Sequence, residues 1–201
     1  MLRTRYRICH CLAGIILATW LGIAGLFVAG LGSHPVLAAE VAVQAEKNPP
    51  GDIPDTQVFI DYTSPGGFAL KVPEGWARSD RADGASFVDK LDGVVLSISK
   101  ADAAPTVEST KADYVQKLEA AGRAVRVTAV KAVKLPAGSA IRIVYTSNSE
   151  PNAVTNKQVR LENERYLYFK DGKLVTLELY APKGADNVDQ WQLMSSSFRW
   201  K

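Results

Sequence analysis

The strongest constraint on the fold is a pair of long strand-like segments joined by an Asp-Gly turn. Residues 159–169 and 174–180 are rich in leucine, valine and aromatic side chains, a composition typical of β-strands. Between them, Asp171 and Gly172 can adopt the two positive φ angles that a tight type I′ turn requires. The sequence therefore predicts a β-hairpin whose strands pair antiparallel.

Alternation of period two recurs at residues 68–72, 94–98 and 141–145, and a β-branched run covers residues 126–134. Such alternation places every second side chain on one face of a strand, where it can enter a core. Several of these segments follow one another without an intervening helix. This order predicts an antiparallel meander.

Two segments have helical periodicity instead. Thr110 and Asp113 approximate a capping box, and the apolar stripe that follows ends at Gly122, a residue suited to terminate a helix. The second segment has apolar residues three or four positions apart: Val188, Trp191, Met194 and Phe198. The expected fold class is α+β, an antiparallel β-sheet flanked by helices.

Residues 1–38 follow the pattern of an export signal. Three arginines precede an almost wholly apolar stretch at residues 12–31, and small residues precede a possible cleavage site after Ala38. The apolar stretch is also long enough to span a bilayer, so retention as an N-terminal membrane anchor is an open alternative. In either case the arginines lie on the cytoplasmic side, which places the remaining chain outside the cytoplasm.

The rest of the chain divides into a linker and one domain. Residues 39–57 contain three prolines and Gly51 with mixed charge, a composition typical of a flexible linker that does not pack. Residues 58–201 are numerous enough for a single domain with its own core. No cysteine follows Cys11, so this domain must be stabilised without disulfides.

Charge and residue types exclude several functions. The formal net charge is +3, but all 21 acidic residues follow Ala38, whereas three of the 24 basic residues precede it, which leaves 21 of each sign. This balance predicts no nucleic-acid partner. His10 and His34 are the only histidines, so residues 39–201 lack the groups for His-based triads, cysteine nucleophiles and ordinary zinc sites. We therefore assign no catalytic, cofactor or metal residue and expect no enzyme.

The sequence also contains two weaker chemical patterns. Ser97 and Lys100 match the S-x-x-K spacing of some acyl-transfer enzymes, but on a strand residues three apart point to opposite faces. Four aspartates crowd a short region around two glycines: Asp80, Asp83, Asp89 and Asp92. Turn formation explains them, and a weak cation site is the alternative.

The aromatic residues provide the candidate binding surface. Most are expected in the core where helix meets sheet. Tyr166 and Tyr168 alternate with Leu167 and Phe169, so we expect one pair, the tyrosines, to face the surface. The candidate ligand or partner surface comprises Trp76, Tyr166, Tyr168 and Trp191.

Short motifs at both ends of the domain resemble those of a known family. Residues 67–76 read GFALKVPEGW, and the DGKL hairpin strand leads to SSSFRW at residues 195–200. These elements resemble the PsbP/Mog-like family over residues 61–200. The resemblance implies an α-β-α sandwich and mostly non-catalytic roles, as lumenal subunits or assembly factors of photosystem II or as exported bacterial relatives. Val175 stands where an aromatic is common, and the metal-binding histidines of photosynthetic members have no counterpart, so no functional residue is transferred.

These observations lead to two functional hypotheses. The first is an exported, non-enzymatic accessory or binding protein on the extracytoplasmic side of a membrane, in a periplasm or thylakoid lumen. It would bind a protein partner, such as a membrane complex of the photosystem II type, with membrane contact through the N-terminal segment if that is uncleaved. The alternative is a carrier of a small apolar ligand, with a cleft between sheet and helix near Trp191.

Overall fold

The computed structural model describes residues 40–201, and the expected export signal lies outside them. The described strands are β1 (Phe59–Ser64), β2 (Phe68–Pro73), β3 (Ala77–Arg81), β4 (Gly84–Asp89), β5 (Asp92–Lys100), β6 (Arg126–Leu135), β7 (Gly138–Asn148), β8 (Arg160–Lys170), β9 (Lys173–Pro182) and β10 (Arg199–Trp200). The helical elements are α1 (Val107–Ser109), a π-helical turn (Thr110–Tyr114), α2 (Val115–Ala120) and α3 (Val188–Ser196).

The strands form two antiparallel sheets. The larger has seven strands in the order β3-β4-β5-β9-β8-β7-β6, and the smaller has three in the order β1-β2-β10. The predicted hairpin is confirmed as β8 and β9, with Lys170 opposite Lys173. Asp171 has φ 51° and Gly172 has φ 73°, so both turn residues adopt the positive φ that was expected of them.

One face of the seven-stranded sheet contacts the small sheet and α3. Phe68 and Leu70 of β2 pack there with Leu177 of β9 and with Trp191 and Met194 of α3. The opposite face contacts the first helical segment, α1 to α2, through the partly buried residues Val107, Tyr114 and Leu118. The α+β class and the antiparallel sheet are confirmed. The α-β-α sandwich holds in part, because a small sheet shares one outer layer with α3.

The first helix begins earlier than the sequence pattern indicated. Thr106, rather than Thr110, is the N-cap: its hydroxyl accepts from the Ser109 amide at 3.1 Å, and the Ser109 hydroxyl accepts from the Thr106 amide at 3.0 Å. Thr110 lies one turn later, inside the π-helical turn, and is buried. Gly122 follows the helix end with φ 96°, as expected of a terminating glycine.

Residues 40–57 pack against the domain, and we call them the N-terminal strap. The Ile53 amide donates to Asn187 Oδ1 at 2.6 Å, and the Ile53 side chain is 4% exposed within the main core. Nearer the N-terminus, the Val43 amide donates to Asn148 Oδ1 at 3.0 Å. The expectation of a non-packing linker is therefore wrong, because one isoleucine and the backbone polar groups find partners on the domain. Across residues 40–201, no helix combines the length and apolar character needed to cross a membrane.

Candidate functional site

The four aromatic residues that were expected to form a binding surface lie in the main core or against it. Tyr168 is 1% exposed; its hydroxyl donates to the Ser195 carbonyl at 2.8 Å and its ring stacks on Phe198 at 4.0 Å between centroids. Tyr166 and Trp191 are also buried, whereas Trp76 is half-buried at the periphery of the same cluster. The four residues therefore do not form one continuous surface.

The expected exposure of Tyr166 and Tyr168 is wrong for an architectural reason. β8 is an inner strand of the seven-stranded sheet, and both of its faces are covered. The two tyrosines face the core shared with α3, while Leu167 between them packs beneath the first helical segment. Alternation along such a strand separates two buried faces rather than a buried face from an exposed one.

Tyr166 nevertheless reaches a surface groove between α3 and the edge strand β6. The cavity has a volume of ≈ 490 Å³ and is here called the α3 groove. Its lining residues come from β6 and its turn, from β7 and β8, and from α3: Val133, Lys134, Leu135, Pro136, Arg142, Glu164, Tyr166, Val188, Gln192, Ser195 and Ser196. Trp191 points into the core instead, so a ligand cleft beside its ring is replaced by this groove on the flank of α3.

A paired charge lies at the base of the α3 groove. Arg142 Nε donates to Glu164 Oε2 at 2.9 Å, and its Nη2 donates to Glu164 Oε1. The Tyr166 hydroxyl also donates to Glu164 Oε2, at 2.6 Å. Such a bidentate arrangement is among the stronger charged hydrogen bonds in proteins. It fixes the three side chains and leaves the carboxylate few free lone pairs.

The protonation states in the groove agree with this arrangement. The hydrogen bond that Arg142 donates to Glu164 raises the pKa of Arg142 above its usual range. Burial, with the hydrogen bond to Glu164, raises the pKa of Tyr166 to about 12. The tyrosine therefore remains a neutral donor at physiological pH. A carboxylate held by two donors is poorly suited to act as a general base.

The upper part of the α3 groove is apolar and accessible. Val188 at the start of α3 is 70% exposed, and half-buried Val133 and Leu135 line the opposite wall on β6. The helical pattern assigned Val188 to the buried face, and this is wrong, because the buried face of α3 begins with Gln190 and Trp191. An isolated exposed valine needs no explanation, but one beside a concave apolar wall is typical of a contact surface.

Sequence reasoning missed Arg142 as a site residue; it considered Glu164 only together with Glu162, as a weak candidate for an acid–base pair, and did not anticipate the pairing of Glu164 with Arg142. Their signal was present as charged residues within strand-forming segments, on β7 and β8. Arg142 lies directly opposite Tyr166 in the β7–β8 register. That pairing cannot be derived until the order of the strands is known.

The Ser97/Lys100 spacing and the aspartate cluster have structural explanations. Ser97 lies opposite Thr176, whereas Lys100 lies opposite Lys173 three positions further along β5, so their side chains leave opposite faces of the sheet. Asp80 pairs with Arg78 at 2.9 Å, and Asp83 lies 3.6 Å from Arg81. Across residues 40–201 no three His, Cys, Asp or Glu side chains converge in a way that could hold a metal ion.

Comparison with known proteins supports the architecture rather than a particular activity. No family model matches the sequence, and no curated protein matches it either. The solution structure of cyanobacterial PsbP (CyanoP) from Synechocystis sp. PCC 6803 is similar with a TM-score of 0.55 at 15% identity, covering 75% of this chain and 98% of CyanoP. The Ran-binding protein Mog1p of Saccharomyces cerevisiae is similar with a TM-score of 0.50 at 10% identity, covering 72% of this chain and 96% of Mog1p. The expected resemblance is confirmed at the level of structure: the chain has the PsbP/Mog-like fold.

Proposed function

We propose that this chain is an exported, non-enzymatic accessory protein that binds a protein partner through the α3 groove. The observation that carries the proposal is the groove itself, where exposed Val188 faces an apolar wall above the fixed Arg142–Glu164 pair. Apolar surface next to positioned polar groups is the usual composition of a recognition site. The chemistry of residues 39–201, without histidine or cysteine, supports binding rather than catalysis.

The groove indicates the chemistry of its partner. An apolar side chain of a partner segment would be buried between Val188 and Leu135. Lys131 lies opposite Arg142 in the β6–β7 register and forms no ion pair with any described residue, so its ammonium is available to a partner carboxylate beside the groove. Because β6 carries Lys131 and Lys134 and a bulge between Val127 and Ala129, this edge is protected against strand addition. The partner therefore contacts side chains rather than extending the sheet.

The cellular setting is part of the same proposal. Residues 1–38 have the composition of a signal peptide or of a retained membrane anchor, and either would place residues 39–201 in an extracytoplasmic space such as a periplasm or thylakoid lumen. CyanoP is a cyanobacterial PsbP protein and Mog1p is a Ran-binding protein. Both names are consistent with an accessory role, and a membrane complex of the photosystem II type is a candidate partner. The mass of the mature N-terminus distinguishes cleavage from retention.

Site-specific photo-crosslinking tests the partner surface. A photoreactive amino acid is placed at Val188 in one variant and at Val154 in a control, because Val154 is 93% exposed but lies outside the groove. We expect a reproducible crosslinked protein from position 188 in the native host and none of that identity from position 154. Val188→Asp should abolish capture of the same protein by a crosslinker at Gln192. Equal capture from positions 154 and 188, or no reproducible product from position 188, would contradict the proposal.

A further inference from the structure

A second cavity lies on the opposite face of the seven-stranded sheet from the α3 groove. It has a volume of ≈ 350 Å³ and is here called the polar basin. Its floor is formed by neighbouring strands, with Asn163 of β8 directly opposite Tyr180 of β9 and with Ser147 contributed by β7. Its volume falls within the range of small-molecule sites, roughly 300–1,000 Å³.

The floor of the polar basin presents neutral groups with unused hydrogen-bonding capacity. Asn163 is 3% exposed, and its Nδ2 donates to Ser147 Oγ at 3.0 Å and to the Tyr145 carbonyl at 3.4 Å. In residues 40–201 no donor reaches Asn163 Oδ1, and neither the Ser147 hydroxyl hydrogen nor the Tyr180 hydroxyl has a protein partner. Burial raises the pKa of Tyr180, so this hydroxyl stays protonated and can donate. One acceptor and two donors therefore remain for a ligand.

Contacts with neighbouring strands fix the side chains of Tyr180 and Glu178 at this floor. The phenol end of Tyr180 covers Gly93 across the β5–β9 pair, at a position where any Cβ would overlap the ring. Glu178 also borders the basin, but its carboxylate accepts from Arg165 and from the Tyr145 hydroxyl. The buried charge of Glu178 is thus compensated by Arg165, and the floor is polar without being anionic.

The rim of the polar basin carries two cations, Lys90 and Arg123, and one carboxylate, Glu150. Lys90 and Arg123 line the basin from left-handed backbone, with φ 50° and 61°. Such a conformation is unfavourable for residues other than glycine and is often found at functional positions. Arg123 is engaged with Glu150 and with the Ser149 carbonyl. Lys90 makes no ion pair with any residue in the described part of the chain.

We propose that the polar basin binds a small hydroxylated carboxylic acid of the sugar-acid class. The ligand carboxylate pairs with the Lys90 ammonium at the rim, and its hydroxyl groups exchange hydrogen bonds with Tyr180, Ser147 and Asn163 on the floor. A polyhydroxylated chain supplies both donors and acceptors, as this floor requires, and its single negative charge matches the single uncommitted cation. The site is independent of the α3 groove, so this function adds to partner binding.

Calorimetric titration of the full chain tests the assignment, with gluconate as the probe and sorbitol as a neutral probe of the same carbon number. We expect saturable binding of gluconate and weaker binding of sorbitol. Lys90→Met should weaken gluconate binding about threefold to tenfold, because a rim ion pair is partly screened, while leaving sorbitol unchanged. Tyr180→Phe should weaken both probes about fivefold through the loss of one hydrogen bond.

Lys134→Met is the matched control, since Lys134 is an exposed lysine of β6 outside the polar basin, and it should leave both affinities unchanged. Gluconate affinity that stays at the wild-type value in both Lys90→Met and Tyr180→Phe would overturn the assignment to the polar basin. So would the absence of saturable binding by either probe. Thermal unfolding of each variant within about 3 °C of the wild type establishes that the site, rather than the fold, has been changed.

Discussion

Asp92 should make the stability of this domain fall as pH rises through neutrality. Its side chain is 6% exposed at the start of β5, and its Oδ1 has no hydrogen-bond partner in the described chain. Burial is the main cause that raises its pKa to about 7, and the nearby carboxylates of Asp89 and of Asp52 on the strap act in the same direction against a smaller opposing effect of Lys90. Ionisation therefore leaves a poorly solvated negative charge beneath the strap.

The sign and size follow from proton linkage. In the unfolded chain Asp92 has its ordinary pKa of 3.8 and is ionised at pH 5.5, whereas the folded protein still binds that proton. The folded state thus loses stability as pH rises, until the folded pKa is passed. The folded pKa lies about 1.5 units above pH 5.5, and each unit corresponds to about 1.4 kcal/mol. The free energy of unfolding therefore falls by about 2 kcal/mol between pH 5.5 and 8.5.

Urea denaturation at pH 5.5 and 8.5 measures this difference directly. Histidine is absent from residues 40–201, so few other side chains of the domain titrate in this interval. Asp92→Asn removes the titration, and its advantage over the wild type should be about 2 kcal/mol larger at pH 8.5 than at pH 5.5. Asp102→Asn is the control, because Asp102 is exposed and is not among the groups that shift the pKa of Asp92. An equal effect of Asp92→Asn at both pH values would refute the reasoning.

Two further predictions concern packing. Ile53→Ala should lower the free energy of unfolding by about 2–4 kcal/mol, as expected for a buried isoleucine, and should increase proteolysis within the strap; Val41→Ala, at a position 81% exposed, should change neither. Urea denaturation and limited proteolysis check both variants, and a neutral Ile53→Ala would show that the strap does not stabilise the domain. Gly93→Ala should cost about 1–3 kcal/mol through overpacking, because the new methyl group would overlap the Tyr180 ring. Tyr180→Ala in the same chain should relieve most of that cost, and strictly additive effects of the two substitutions would argue against this contact.

Local chemistry explains which parts of the fold were predictable. The β8–β9 hairpin was identified because Asp171 and Gly172 satisfy a φ requirement that involves only the turn. The same holds for Gly122 at the end of the first helix. The N-terminal strap was missed because its prolines dominate its composition, whereas a single isoleucine, Ile53, determines how it packs. The small sheet was also missed, since β10 has only two residues.

The α3 groove depends on information that no single segment contains. Alternation along β8 separates the side chains of Tyr166 and Leu167, but only the sheet order shows that both faces are covered. Likewise, Arg142 and Glu164 become a site only when β7 and β8 pair and α3 lies beside β6. The chemical exclusions were less dependent on the fold, because the absence of histidine and cysteine from residues 39–201 is a property of composition.

The strap also determines the order in which this domain can be completed. Its central residues bond to side chains near the other end of the chain: Ile53 to Asn187 and to Gln190, at separations of 134 and 137 residues. The N-terminus emerges first, both from the ribosome and during passage through a membrane. The strap is therefore exposed long before α3 is available to pack against it. Contacts of such long range are formed late. The central part of the strap is therefore expected to close last, and a chain that ends before α3 should leave Ile53 and its neighbours undocked.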